Sequence, residues 1–193
     1  MEICGAQIGF AITGSFCTIE KAFRQIQNLM DAGAVVCPIL SFHAAAMDTR
    51  FITAEDLNRR LGELTGRSAI KSIAEAEPIG PKKPFDLVMV LPCTGNTTAK
   101  IASGITDTPV AMAVKAQLRN ERPVLIALST NDGLSANAKN IGALLNVKHI
   151  YFAPFYQDDP VQKPRSLLFH DEMILPAARE ALCGRQIQPV LHR

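Results

Sequence analysis

The feature that most constrains this chain is a set of short apolar runs separated by helical patterns. The runs cover residues 3–13, 34–40, 86–91, 123–128 and 148–152. The second is rich in Val and Ile with no polar alternation, which marks a strand covered on both faces rather than one side of an exposed sheet. Asp86-Leu-Val-Met-Val-Leu91 is the clearest strand of the set. Between the runs, residues 18–31 place Ile19, Phe23, Ile26 and Met30 on one helical face, and Gly33 is placed to stop that helix. Thr53-Ala-Glu-Asp56 resembles a capping box and opens a helix ending near Gly66. Further helices are expected from Ala99, over 108–119, over 136–145 and from about Asp171. Residues 41–50, 70–84 and 153–166 read as irregular connections, the last two carrying several prolines.

Strands alternating with helices imply a parallel sheet with helices on both faces. The expected fold is a three-layer, Rossmann-like (flavodoxin-like) α/β architecture, with residues 1–193 forming one domain. A length of 193 residues suits one core, and 48% hydrophobic against 20% charged residues excludes a disordered chain. No repeat or low-complexity tract interrupts it.

Composition also narrows the function. Lys plus Arg number 20 against 18 Asp plus Glu, a net charge of +2. That balance gives no footprint for nucleic acid or an anionic membrane. Aromatic residues make up 6%, with no Trp, so stacking platforms for single strands are not evident. The 5 cysteines form no C-x-x-C pair, which argues against a disulfide framework or a zinc site and for a reducing compartment. No apolar run of about 18 residues is present to span a membrane, and Glu2 stands where a signal peptide would be positive. The expectation is a cytoplasmic protein.

Ligands of open α/β sheets bind beyond the carboxyl ends of the strands. That rule selects residues 13–17, 41–49, 92–98 and 129–135, which are also the polar, Gly-containing loops. Gly14-Ser15 sits between a strand and a helix, where a glycine permits close approach and a helix start favours an anion. A capped turn with no ligand explains the pair equally well. Neither G-x-G-x-x-G nor a Walker lysine accompanies it, which argues against a standard dinucleotide fold and a P-loop NTPase. Pro92-Cys-Thr-Gly-Asn-Thr-Thr98 gathers three hydroxyls and a carboxamide before a helix. Capping needs one such residue, so ligand contact is favoured. Ser129-Thr-Asn-Asp-Gly133 is similar, with an Asx turn or a cap at Ser135 as the plain alternative. His43 is a candidate acid, base or substrate contact, or a surface residue. Cys93 reads as a small core residue or a thiolate at a helix start. No Ser-His-Asp arrangement or metal-ligand spacing is evident.

The Gly-Ser opening, the stretch from Asp86 to Ala99 and Ala153-Pro-Phe-Tyr156 together resemble the flavin-dependent family that includes phosphopantothenoylcysteine decarboxylase and the flavin prenyltransferases. The likeness covers nearly the whole chain, and the Pro-x-Thr-x-Asn-Thr pattern at 92–97 is similar to that family's flavin-binding turn. The phrases at 9–17, 75–81 and 128–134 resemble one branch of it. The resemblance to that branch implies a role in sporulating bacteria beside a nicotinamide-dependent A subunit, in the oxidation of a dihydrodipicolinate-type precursor to dipicolinate, a pyridine dicarboxylate. The alternative within it is a non-catalytic partner that supports or regulates the A subunit.

The resemblance implies an FMN cofactor. Gly14, Ser15 and Phe16 would hold its phosphate or ribityl chain, Ser41 would cap the second strand against it, and Thr94, Gly95, Asn96 and Thr97 would contact phosphate and ring edge. Asn131, Tyr156 and His43 are the substrate-binding candidates. Assembly as a trimer or larger homo-oligomer is also implied. The decarboxylases place a His before the third strand, and residues 77–86 contain none. The prenyltransferases place an Arg in the loop that here reads Ser129-Thr-Asn-Asp132. Both reactions are therefore disfavoured. Lys82, Lys83, Lys163 and Arg165 are loop cations able to meet a dicarboxylate or simply to face solvent.

Overall fold

The computed structural model describes residues 2–192. Strand β1 (Gln7–Ile12) lies between β2 (Val35–Leu40) and β3 (Leu87–Cys93), and β3 continues to β4 (Val124–Thr130) and β5 (Ile150–Phe152), all parallel. β1 starts later than its apolar run because Ala6 folds back onto the Ile3 carbonyl, in a turn where Gly5 takes a φ of +80°. Ile3 and Ala6 are nonetheless buried.

Every residue of β3 is buried, and successive residues serve opposite cores. Leu87, Met89 and Leu91 join Ile8, Phe10 and Ile12 under α1 (Ile19–Asp31), α3 (Ala54–Thr65) and α9 (Ile174–Leu182). Val88 and Val90 join Ala11, Ile126 and Leu128 under α7 (Pro109–Arg119) and α8 (Ala138–Leu145). Each large side chain so buried contributes about 1.5–3 kcal/mol, which is why the strands need no alternation.

The caps follow the sequence. The Thr53 and Thr108 hydroxyls accept the amides of Asp56 and Ala111, and Gly33, at φ +90°, follows α1. Asp56 does not return the bond, so the Thr53 box is half made.

Three expected loops contain structure. Ser41 caps the short helix α2 (Phe42–Ala46) by accepting the Ala44 amide at 3.3 Å. Residues 70–84 hold two single turns, α4 (Ile73–Ala76) and α5 (Ile79–Lys82), the first under a complete Ser72–Glu75 capping box. The sheet is mixed rather than wholly parallel. β6 (Phe155–Tyr156) and β7 (Leu167–Phe169) form an antiparallel ribbon, and β7 pairs antiparallel with β4 through Ser129 and Thr130. These strands are too short to show a period of two, and their partner lies nearly forty residues away. Helix α6 (Gly95–Ala102) begins four residues before the expected start at Ala99, with Thr94 as its cap. The polar turn is thus the first turn of the helix.

The order β2-β1-β3-β4 reverses direction between β1 and β3. The loops after these two strands, carrying Gly14 and Thr94, flank that crevice, the expected ligand position of such a sheet.

Candidate functional site

Thr13 joins the two loops. Its hydroxyl donates to the Pro92 carbonyl at 2.7 Å and accepts the Thr94 amide at 3.0 Å. Thr94 in turn caps α6: its Oγ1 accepts the Thr97 amide at 3.4 Å, and its carbonyl accepts the Thr98 amide at 2.9 Å. Amides of a helix's first turn have no intrahelical acceptor, and the helix dipole favours an anion beside them.

Two open clefts meet at this junction, and Gly14 and Thr94 line both. The first, about 420 Å³, is also bordered by Phe16, Ser41, His43, Asn96 and Thr97, with Phe42 and Met47 as exposed apolar walls. At its rim the Lys100 ammonium is held 2.6 Å from both oxygens of Asp107. This charge is neutralised, leaving hydroxyls, a carboxamide, the His43 imidazole and the α6 terminus as the polar donors. The second cleft, about 480 Å³, takes Ser15, Gly95 and Asn131, together with Thr18, Ser129 and Thr130 and the β6–β7 loop.

Ser15 differs from the sequence expectation. Its amide donates to the Thr13 carbonyl at 2.8 Å, and its hydroxyl lies 2.8 Å from that of Ser129. Thr18 donates to the Ser15 carbonyl at 2.8 Å. The regular helix starts only at Ile19, so Ser15 stitches the β1 and β4 loops together instead of presenting a spare amide.

The two site glycines have different physical reasons. A Cβ built at Gly95 falls 2.5 Å from Asp132 Oδ1 and 2.6 Å from Thr130 Oγ1, and collides with Asn137 Nδ2. Those three side chains form one network: Thr130 Oγ1 donates to Asp132, and Asn137 Nδ2 donates to the other carboxylate oxygen at 2.7 Å. Gly95 therefore exists for packing against the β4 loop. A Cβ at Gly14 meets only His43 Cβ and Phe16 Cε2, each at 3.8 Å, an ordinary contact. Nothing in the chain requires glycine there, and the open space faces both clefts.

Asn131 and His43 fall in different clefts, so the expected substrate set is divided. Tyr156 lies outside both: it pairs with Leu168 on β7, and its ring rests 5.8 Å from that of His170. Asn137, not Ser135, precedes α8. Cys93 is fully buried, and burial pushes its thiol up to about 12, the Thr98 hydroxyl opposing only weakly. It is a core residue and not a thiolate.

The loops selected from the sequence contain Thr13, Phe42 and Met47 without singling them out, and they stop short of Thr18 and Lys21. Thr18 follows the first of those loops directly and was within reach of a wider window. Lys21 looks like any solvated helix lysine. Among the described residues no group of three His, Cys, Asp or Glu is placed to hold a metal, and no helix is long and apolar enough to cross a membrane.

Known proteins are similar to this chain over most or all of its length. The Flavoprotein family model matches residues 2–173. The B subunit of dipicolinate synthase from Bacillus subtilis (strain 168) is 44% identical over 187 residues, covering 97% of this chain and 94% of that protein. The crystal structure of the dipicolinate synthase B subunit from Bacillus halodurans C superposes with a TM-score of 0.91 at 40% identity, covering 100% of this chain and 99% of the other. The FMN-dependent cysteine decarboxylase SpaF shares the fold at a TM-score of 0.67 and 17% identity, over 94% of this chain and 97% of its own. By these matches the chain belongs to the flavoprotein family, on the branch of the dipicolinate synthase B subunits.

Proposed function

We propose that this chain binds FMN at the β1–β3 crevice and serves as the flavoprotein-type component of a dipicolinate-forming oxidoreductase. The nicotinamide-dependent A subunit of dipicolinate synthase is its partner, and a dihydrodipicolinate is the substrate. The observation that carries this reading is the pair of clefts meeting at Gly14 and Thr94, where a glycine with no packing duty leaves room beside the first turn of a helix. The donor set suits FMN. Thr94, Asn96, Thr97 and Ser41 offer hydroxyls and a carboxamide for a phosphate and ribityl chain, while Phe16, Phe42 and Met47 supply apolar surface for a planar ring. FMN-dependent relatives of the same fold support the cofactor, and the identity to dipicolinate synthase B subunits supports the reaction and the partner.

Bound flavin would supply acceptance of a hydride. The residues of the chain orient the reactants. Asn131, in the lining of the second cleft, would hydrogen-bond a ring carboxylate, with the Ser15–Ser129 hydroxyl pair in the same lining. We place this work in the cytoplasm of sporulating cells, in a homo-oligomer like those of the family.

One observation favours a second reading, a non-catalytic partner that stabilises or regulates the A subunit. His43 lies in the other cleft from Asn131 and the Cys93 thiol is buried, so neither of the two acid–base candidates offered by the sequence stands beside Asn131.

The test is to purify the chain, add FMN and record its visible spectrum and fluorescence, then assay dipicolinate formation by the nicotinamide-dependent partner with and without it. Flavin uptake together with faster turnover by the FMN-loaded pair is expected. Absence of flavin uptake refutes the cofactor. Full turnover by the nicotinamide-dependent partner on its own refutes catalysis by this chain.

A further inference from the structure

The second cleft holds charge that hydrogen bonding within the chain does not consume. Lys21, at the start of α1, lines it and is half-buried, and among the described residues no carboxylate pairs with it. Its ammonium lies 5.5 Å from the ring centroid of the buried Phe169 on β7, a cation–π contact that restricts where the charge sits. The other charged residues of the lining are Lys163 and Asp158 on the β6–β7 loop, 3.1 Å apart. Burial raises the Asp158 carboxyl, but the Ser166 hydroxyl and the Lys163 ammonium outweigh it and hold the group below the usual carboxylate range. Asp158 is therefore ionised at neutral pH and offsets Lys163. One positive charge remains, on Lys21, in a cleft otherwise lined by the hydroxyls of Ser15, Ser129 and Thr130 and the carboxamide of Asn131. An ammonium that gives up part of its hydration without an ion pair is most stable when an anion completes the site.

We infer that the second cleft takes an anionic ring substrate and that Lys21 is its carboxylate anchor, a specificity-determining residue that separates pyridine dicarboxylates from uncharged pyridines. The inference rests on the dipicolinate reading above. Hydroxyls and one carboxamide orient a ring but do not discriminate charge; a single partly desolvated ammonium does both. A flavin phosphate is the rival anion for Lys21, and the same experiment separates the two.

Dipicolinate is titrated calorimetrically into the full chain, with and without saturating FMN, and FMN binding is followed by fluorescence in the same samples. Cys17 lines the same cleft and is exposed, so peptide-resolved alkylation of Cys17 reports occupancy independently. Lys21→Gln is expected to weaken dipicolinate binding by about tenfold or more, the range for a lost charge-assisted hydrogen bond. Lys21→Arg should recover most of it, and Lys115→Gln on α7, remote from the cleft, should leave it unchanged. Dipicolinate should slow Cys17 alkylation in the unmodified protein and not in Lys21→Gln, whose circular dichroism and melting temperature should stay the same. The inference is overturned if the unmodified chain binds no dipicolinate, if Lys21→Gln binds it within twofold of the unmodified protein, or if Lys21→Gln loses FMN instead. Dipicolinate binding that depends on Lys21 in a chain that takes up no FMN upholds the anchor and sinks the cofactor proposal.

Discussion

Replacing each of the two site glycines by alanine should separate a packing role from a ligand role. At Gly95 the added methyl falls 2.5–2.6 Å from two oxygens, where contact below 3.0 Å is not tolerated. The neighbours cannot simply swing away, because the Asp132 carboxylate is held by Thr130 and by the buried Asn137 at 2.7 Å. Opening the gap breaks at least one hydrogen bond to a charged group, a loss of about 1.5–3 kcal/mol, and overpacking adds about 1–3 kcal/mol. The gain from Ala over Gly in a helix returns about 0.5–1 kcal/mol. Gly95→Ala should therefore lose about 1.5–5.5 kcal/mol, or about 3–22 °C in Tm for a chain of this length. Gly14 has ordinary 3.8 Å neighbours and no left-handed φ. Gly14→Ala should leave the melting temperature within about 2 °C, or raise it slightly through a less flexible unfolded chain. It should nevertheless weaken FMN about tenfold or more, because its methyl occupies the junction of the clefts. The assay is thermal and urea unfolding of the FMN-free chain, with FMN affinity measured by fluorescence. The reasoning is refuted if Gly95→Ala melts with the parent, or if Gly14→Ala destabilises as much as Gly95→Ala.

Three further outcomes are expected. Ser15→Ala and Ser129→Ala should each cost about 1 kcal/mol in urea unfolding, and the double variant should cost less than their sum, since both lose the same 2.8 Å hydroxyl contact; strict additivity would show that the contact contributes nothing. Cys93, fully buried and with its thiol pushed up to about 12, should be alkylated after the exposed Cys4 and Cys17 in the native protein at pH 8, as read by peptide mass spectrometry. Early labelling of Cys93 would contradict its core placement. Because the Asp158 carboxyl is held below its usual value, its contribution is present above the unfolded-state value and lost as pH falls through the lower folded one. Asp158→Asn should narrow the stability difference between pH 6 and pH 3 by about 0.5 kcal/mol, the scale of a partly exposed ion pair, in urea melts at both values.

Much of the architecture was legible because it rests on local chemistry. Continuous apolar runs such as Leu87–Cys93 suit only strands covered on both sides, and hydroxyls at Thr53 and Thr108 start helices wherever the chain goes next. That the loops carrying Gly14 and Thr94 flank one crevice followed from the same reading, since polar loops after buried strands sit at one edge of a parallel sheet. The β6–β7 ribbon was not legible. Two or three residues carry no periodicity, and its antiparallel pairing with β4 depends on Ser129 and Thr130 being free to accept it.

The sequence by itself determined the parallel core, its helical cover and the two loops, around Gly14 and Thr94, that frame the crevice. Tertiary structure alone decided what each residue of those loops does. Ser15 meets Ser129 across 114 residues, Gly95 makes way for a network on the β4 loop, and Lys21 turns toward a cleft closed by a loop near the end of the chain. Hydrophobic pattern and capping are written within a few residues of one another. A contact between distant loops exists only once the whole sheet has ordered its strands, so no local window contains it.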